Sequence, residues 1–546
     1  MRKNSLAFFM AATMLPCSLP VCAAEADTVI YEAENAVMTG SMETITDLTA
    51  SGGQAAGKFA DDGDTLTFTI TVPNDGTYDF AFMSKGIGSD KTNNVLIDGE
   101  YAGTFDSADG TYSEFVLHGN LLSAGDHSVT VTKSWGWIRL DYLKVTPAES
   151  ISDEVYYVEN TLINPAATRN TKALYSYLCE AYGNVTLAGQ VCDNGLNGEE
   201  FSAIHEVTGK YPAMLGLDMM DYCPSRAARG ARTQAVERAI EFHEAGGIVT
   251  FCWHWNAPDQ YLLPDAEGEN PRWWGGFYSQ NSSFDLAAVM NGSDAEGKTL
   301  LDADIAEIAK QLHRLENAGV PVLWRPLHEA SGGWFWWGSA GKDAYKELWI
   351  YLYDQLTNTY QCNNLIWVWN GQAADWYPGD AYVDIIGEDI YADAHQYGAH
   401  TAKFTELLTY SQTNKIIALT ENGVVFDIDK MIATNAKWAW FNTWCGSFVT
   451  ENGTYSESHT SKEILSKAYA SEYVITLDEL PDLYNSNMRR GDVNADGNFS
   501  LADVVMLQKW IIKRGNITDW QAGDLDDNQQ LTAADLTEMK KMLLGQ

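Results

Sequence analysis

Val322–Glu329 reads VLWRPLHE, and Ala330–Gly338 directly after it reads ASGGWFWWG. An apolar strand-like run thus ends on a carboxylate, then opens into a Gly-rich loop carrying four aromatic rings. In a (β/α)8 barrel, chemistry sits at such strand ends, where the βα loops begin. Similar strand patterns recur at Gly247–Trp253 (GIVTFCW), Asn364–Trp369 (NLIWVW), Val383–Ile386 and Ile416–Thr420. Amphipathic stretches at Asp302–Ala318 and Asp343–Thr357 alternate with them and predict helices. Repeated βα units across residues 155–484 predict a (β/α)8 TIM barrel. A doubly wound sheet is the alternative, weakened because no GxGxxG follows an early strand.

Ile416–Gly423 (IIALTENG) also ends a strand on a carboxylate, Glu421. Two carboxylates on separate strand ends suit a retaining glycosidase, which holds them roughly 5–5.5 Å apart across the cleaved bond. Taken singly, either Glu is more often an ion-paired or loop-capping carboxylate. The aromatic loop argues otherwise for Glu329, because an apolar pocket desolvates a carboxyl and raises its pKa, as a general acid requires. Glu421 needs the reverse, donors that keep it ionised. Tyr391, at the end of Gly387–Tyr391 (GEDIY), is a candidate donor. Arg325 reads equally as a neutraliser of buried carboxylates or as a substrate contact.

Arg325–Glu329 (RPLHE) with Gly332–Gly338 (GGWFWWG), and Phe251–Asn256 (FCWHWN), closely resemble glycoside hydrolase family 26. The resemblance implies a (β/α)8 barrel, retention of configuration and mostly endo-β-1,4-mannanase activity, with no catalytic cofactor. It implies Glu329 as acid/base and Glu421 as nucleophile. It also implies that His328 and Trp334 flank the acid/base and that Tyr391 hydrogen-bonds the nucleophile. His254 would line the subsites next to the cleaved bond, Trp444 would stack under the sugar there, and Trp273 or Trp274 would build a further subsite. Plant mannan, galactomannan and glucomannan are the expected substrates. Action on mixed-linkage β-glucan, or release of mannobiose from chain ends, is the alternative within hydrolases. A non-catalytic carbohydrate-binding protein would lack one carboxylate, and both are present.

Residues 27–147 alternate in short runs such as Asp64–Val72 (DTLTFTITV) and His127–Thr132 (HSVTVT), cut by Asp-Gly turns, which predicts a β-sandwich. Tyr31–Asn35 (YEAEN) and Gly136–Tyr142 (GWIRLDY) resemble carbohydrate-binding modules of family 35. That resemblance implies a structural calcium held by Glu32, Glu34 and Asp141. Trp135 and Trp137 are candidate sugar platforms, with core packing as the alternative for one of them.

Residues 488–546 hold a near-duplication. A calcium loop needs oxygen ligands at positions 1, 3, 5, 7 and 12, with a sharp turn at position 6. Asp492, Asn494, Asp496, Asn498 and Asp503 fill the first copy, with Gly497 at the turn. Asp524, Asp526, Asn528 and Asp535 fill the second, where Gln529 replaces the Gly. Two such copies, each leading into a helix, resemble a small α-helical dockerin. The resemblance implies a cohesin on a scaffold protein as partner, within a cellulosome.

At 546 residues the chain accommodates three or four domains of about 150 residues each. Its 74 acidic against 35 basic residues give a net charge of −39, which excludes nucleic acid and anionic membranes as partners. The 19 Trp and 27 Tyr exceed what cores alone require and suit stacking on the apolar faces of sugars. Arg2, Lys3 and the apolar run Leu6–Leu15 predict a signal peptide over residues 1–24. A lipoprotein reading of Cys22 is weakened by the bulky Val21 before it. No other segment is long and apolar enough for membrane insertion, so a secreted, extracellular protein is expected, on the cell surface or in a free multienzyme complex. Cys17 and Cys22 fall in the signal region. The other six Cys show no metal spacing and read mostly as buried thiols, one or two disulfides being the alternative.

Overall fold

The computed structural model describes residues 28–148, 150–265, 270–484, 490–494, 498–525 and 530–544. The expected signal peptide at 1–24 lies outside them, as do Asp496, Asp526 and Asn528. The chain divides into two compact units.

The first unit is a β-sandwich. One sheet orders Glu43–Thr46, Gln54–Gly57, Ile138–Pro147, Gly76–Gly86 and Ser113–Leu122, with Val29–Glu32 also paired to Ile138–Pro147. The other orders Val37–Met38, Thr65–Val72, Gly125–Thr132, Lys91–Ile97 and Glu100–Ser107. The period of two that predicted strands also builds the core: Leu66, Phe68, Ile70 and Val72 are buried while the Thr residues between them face outward. Phe82 of one sheet stacks on Phe105 of the other at 4.5 Å between ring centroids.

The second unit holds the barrel. Its strands are β1 (Thr186–Val191), β2 (Met214–Asp218), β3 (Ile248–Trp253), β4 (Val322–Pro326), β5 (Leu365–Trp369), β6 (Ile385–Ile390), β7 (Ile416–Asn422) and β8 (Trp440–Thr443). Each is parallel to its neighbours, and β1 pairs with both β2 and β8, so the sheet closes. All eight are buried along their length apart from one end residue each in β2 and β6, with helices outside and packed side chains within. This is why they read as apolar runs and not as alternating ones.

Boundaries shifted for identifiable reasons. The helix expected at Asp302–Ala318 spans Ala295–Asn317, because Asp294 caps it by accepting the Gly297 amide at 2.8 Å. The helix expected at Asp343–Thr357 runs over Lys342–Tyr353 and then widens into a π-turn at Asp354–Thr359. The strand expected at Val383–Ile386 is β6, which extends to Ile390 and carries the buried Glu388 and Asp389. Glu329 does not end its strand. β4 stops at Pro326, which has no N–H to donate, and Leu327 and Glu329 both adopt left-handed backbone, with φ of 54° and 52°.

The C-terminal segment packs Leu501–Ile511 and Ala533–Leu543 around Val493, Val504, Leu507, Leu525 and Met539. Among the described residues no helix is long and apolar enough to cross a membrane. Cys179, Cys192, Cys223, Cys252, Cys362 and Cys445 are all free thiols, four of them buried, so the disulfide alternative fails for these six.

Candidate active site

The ends of three strands, β4, β6 and β7, converge on one cluster of charge. Glu421 lies on β7, Asp389 on β6, and Glu329 in the turn after β4. One carboxylate oxygen of each lies within 4.8 Å of the others. Arg325, on β4, supplies the positive charge among them. Its guanidinium donates to Asp389 Oδ2 at 2.9 Å and to Glu421 Oε1. Tyr391, directly after β6, donates its phenol to Glu421 Oε2 at 2.6 Å. Both oxygens of Glu421 are therefore engaged by donors, the contacts an ionised carboxylate makes.

One guanidinium cannot neutralise three carboxylates, and the protons settle accordingly. Burial, together with the charges of Asp389 and Glu421, pushes Glu329 up to about 8. Burial also pushes Asp389 up to about 7, although Arg325 opposes it. Trp334 donates its indole N–H to Glu329 Oε2 at 3.1 Å and is itself 45% exposed. Glu329 is thus a carboxyl that keeps its proton near neutral pH, beside a carboxylate held by cationic and phenolic donors. Such a pairing is able to supply both an acid and a nucleophile.

His254 and His328 form the wall beside this cluster. Asp218, at the end of β2, receives the His254 amide at 3.1 Å and lies 2.6 Å from His254 Nδ1. Burial raises the Asp218 carboxyl, but the His254 contacts outweigh it and hold it below the usual range. An ionised acceptor here places the proton on His254 Nδ1. The Nε2 atoms of His254 and His328 lie 3.2 Å apart. Burial pushes His328 well below the ordinary imidazole range, so it stays neutral. The Trp444 ring stands 6.1 Å from His254. Trp273 sits apart from the cluster, on the long loop after β3, with Arg226 over one face at 5.4 Å. Its neighbour Trp274 is 55% exposed beside a cleft of about 320 Å³.

Glycosyl hydrolase family 26, as a sequence pattern, matches residues 163–479. The chain belongs to this family. It is 38% identical to the mannan endo-1,4-beta-mannosidase of Thermothelomyces thermophilus over 464 residues, covering 84% of this chain and 92% of that one. It is 32% identical over 484 residues to mannan endo-1,4-beta-mannosidase B of Piromyces sp, covering 87% and 81%. The crystal structure of a Podospora anserina GH26-CBM35 beta-(1,4)-mannanase superposes with a TM-score of 0.59 at 38% identity, over 84% of this chain and 100% of that one. The carbohydrate binding module of family 35 matches residues 29–148, and the dockerin type I domain matches residues 490–544. As a family 26 member the chain is a glycoside hydrolase.

The flanking modules hold the carboxylates expected to bind calcium, some of them sharing hydrogen-bond donors. In the family 35 module, Ser51 donates its amide to Asp141 at 2.8 Å and its hydroxyl to Asp141 and to Glu32, at 2.7 and 3.0 Å. Glu34 Oε2 nearby is buried without a hydrogen-bond partner, an orphaned acceptor that a hard cation would satisfy. In the dockerin, Asp503 and Asp535 close capping boxes with Ser500 and Thr532, and each also receives an amide of its own loop, from Asn494 at 3.1 Å and Leu525 at 2.9 Å. Asp492 and Asp524 are buried at the starts of these loops, and Asn494 and Asn498 belong to the first.

Sequence reasoning missed Asp389 and Asp218. Each had a signal. Asp389 is half of a charged pair inside an apolar strand, and Asp218 ends MLGLD much as Glu421 comes near the end of its own strand.

Proposed function

We propose that this chain is a secreted, retaining endo-β-1,4-mannanase that cleaves plant mannan, galactomannan and glucomannan by double displacement. The observation that carries the reading is the close approach of Glu329 to Glu421, which suits a retaining pair better than an inverting one at roughly 6.5–9.5 Å. Glu421 attacks the anomeric carbon while Glu329 gives its proton to the departing glycosidic oxygen. The products are a covalent glycosyl-enzyme and a shortened chain. Glu329, now ionised, takes a proton from water, whose oxygen attacks the anomeric carbon and frees Glu421. Tyr391 orients Glu421, His254 and His328 contact the sugar beside the cleaved bond, Trp334 and Trp444 stack on it, and Trp273 or Trp274 extends the groove.

The substrate assignment draws on the mannan activity named for the relatives. We place the catalytic domain at 155–484, the carbohydrate-binding module at 27–147 and the dockerin at 488–546, behind a signal peptide at 1–24. Calcium is assigned to both loops of the dockerin and to Glu32, Glu34 and Asp141. A cohesin is the protein partner, in an extracellular cellulosome. The test is incubation with mannan, galactomannan, β-glucan and xylan, with product sizing over time and Glu329→Ala and Glu421→Ala controls. Long oligosaccharides from mannan at early times are expected. Hydrolysis unaffected by Glu421→Ala overturns the nucleophile assignment, and preferred cleavage of β-glucan overturns the substrate.

A further inference from the structure

Asn370 follows the last residue of β5 and is fully buried, yet it is polar and touches both halves of the carboxylate cluster. Its main-chain carbonyl accepts the amide of Glu329 at 2.7 Å, and its side-chain Oδ1 accepts the same amide at 3.4 Å. The shorter bond holds the left-handed turn in which Glu329 sits, a conformation that costs a side-chain-bearing residue free energy. Its side-chain Nδ2 donates to Asp389 Oδ1 at 2.7 Å and to Thr420 Oγ1 at 2.6 Å. Asp389 then binds Arg325 through Oδ2, and Arg325 binds Glu421. The neighbouring residues reinforce the arrangement: Gly371 O accepts the Ser331 amide at 3.2 Å, and Gln372 Nε2 donates to the Asp389 carbonyl at 2.9 Å.

We propose that Asn370 is a positioning residue for both catalytic carboxylates, its carbonyl fixing the backbone of Glu329 and its amide holding Asp389 on the Arg325 that neutralises Glu421. The inference rests on the assignment of Glu329 and Glu421 as the catalytic pair. The physical reason is donor supply. Asp389 faces Arg325 from β4, Glu421 and Thr420 from β7, Cys252 from β3, and Glu329. Beside Arg325 and the Thr420 hydroxyl, Asn370 is the other side-chain donor to it. Without that amide, protonated Asp389 becomes the favoured form, one negative charge beside Glu329 disappears, and Arg325 loses half of its anchorage.

The test is the pH dependence of kcat/KM on mannan for the full chain and for Asn370→Ala and Asn370→Ser. Asn370→Ala is expected to lower kcat about ten- to a hundredfold and to move the basic limb down by about one pH unit. Asn370→Ser, which keeps one shorter donor, should fall between Ala and the parent. A basic limb equal to the parent's in either variant, with native circular dichroism, overturns the proposal even if melting temperature falls. Should the alanine variant not fold, the serine variant alone decides. Glu329→Ala and Glu421→Ala are run alongside. Activity surviving in those two sinks the catalytic assignment, whereas their inactivation with an unmoved limb in the Asn370 variants sinks this inference alone.

Discussion

The phenol of Tyr391 donates to Oε2 of Glu421 across 2.6 Å, from a ring that is itself 44% exposed to the cleft. In the proposed mechanism such a donor orients the attacking oxygen, and its hydrogen bond weakens as Glu421 loses its negative charge to the forming glycosyl bond. Tyr391→Phe keeps the ring and removes only the hydroxyl. It should lower kcat about a hundredfold and leave the melting temperature near that of the parent. Steady-state kinetics on mannan with a thermal melt checks both. An equal loss in KM with kcat intact would instead make the tyrosine a plain binding contact.

In the proposed mechanism Glu329 must be protonated to assist departure of the leaving sugar, and it holds its proton up to about 8. kcat/KM should therefore fall as pH rises through about 8. Stability follows the same sign. The unfolded chain releases this proton near 4.5, the folded chain only near 8, so the native state binds more protons between them. Stability is then full below about 4.5 and declines as pH rises toward about 8. Glu329→Gln removes one of the two raised carboxyls of this cluster, Asp389 being the other. Melts across this range should decline less steeply in the variant, and an unchanged slope would remove Glu329 as the cause.

Six cysteines in the barrel unit remain unpaired, among them Cys223 at 3.2 Å from the Trp253 indole nitrogen. Reductant should leave the melting temperature unchanged, because no covalent tie among them is there to break. A drop of several degrees on adding dithiothreitol would reveal a bridge that the geometry does not contain.

In the dockerin, the carboxylates of Asp503 and Asp535 each serve a helix start and a loop amide. Calcium removal should fray the first turns of Leu501–Ile511 and Ala533–Leu543 and weaken the small core between them. Circular dichroism of the full chain with chelator should show lost helix that returns on adding calcium. Asp503→Ala should reduce calcium affinity at least about tenfold. Full helix content in excess chelator would contradict this coupling.

Much of this site was legible because its signals are local. IIALTENG and GEDIY place a chemical group at or just after a strand end, VLWRPLHE places one in the turn beyond its strand, and the barrel follows from apolar runs buried on both faces. Glu329 and Glu421 come together at the barrel mouth, and Tyr391 reaches Glu421. What could not be read was how charges pair across the barrel. Arg325 was open between a structural and a substrate role until Asp389 and Glu421 were seen on its two nitrogens. Asp389 itself broke the apolar pattern of β6 and hid the strand's true end. Asn370 gave no signal at all, because an Asn after a strand looks like any turn residue. Its contacts come from β4, β6 and β7, distant in sequence from β5.

Arg325 comes from β4, whereas its two carboxylate partners come from β6 and β7. Charge balance inside the barrel is therefore reached only after most of the chain has been wound into place. A fragment ending after β4 would carry a buried guanidinium with nothing to neutralise it, and the complementary piece would carry carboxylates in the same plight. Split versions of this barrel should consequently be poor folders apart and good mates together. Circular permutants with new ends between β4 and β7 should tolerate the cut only where it leaves those three strands free to meet.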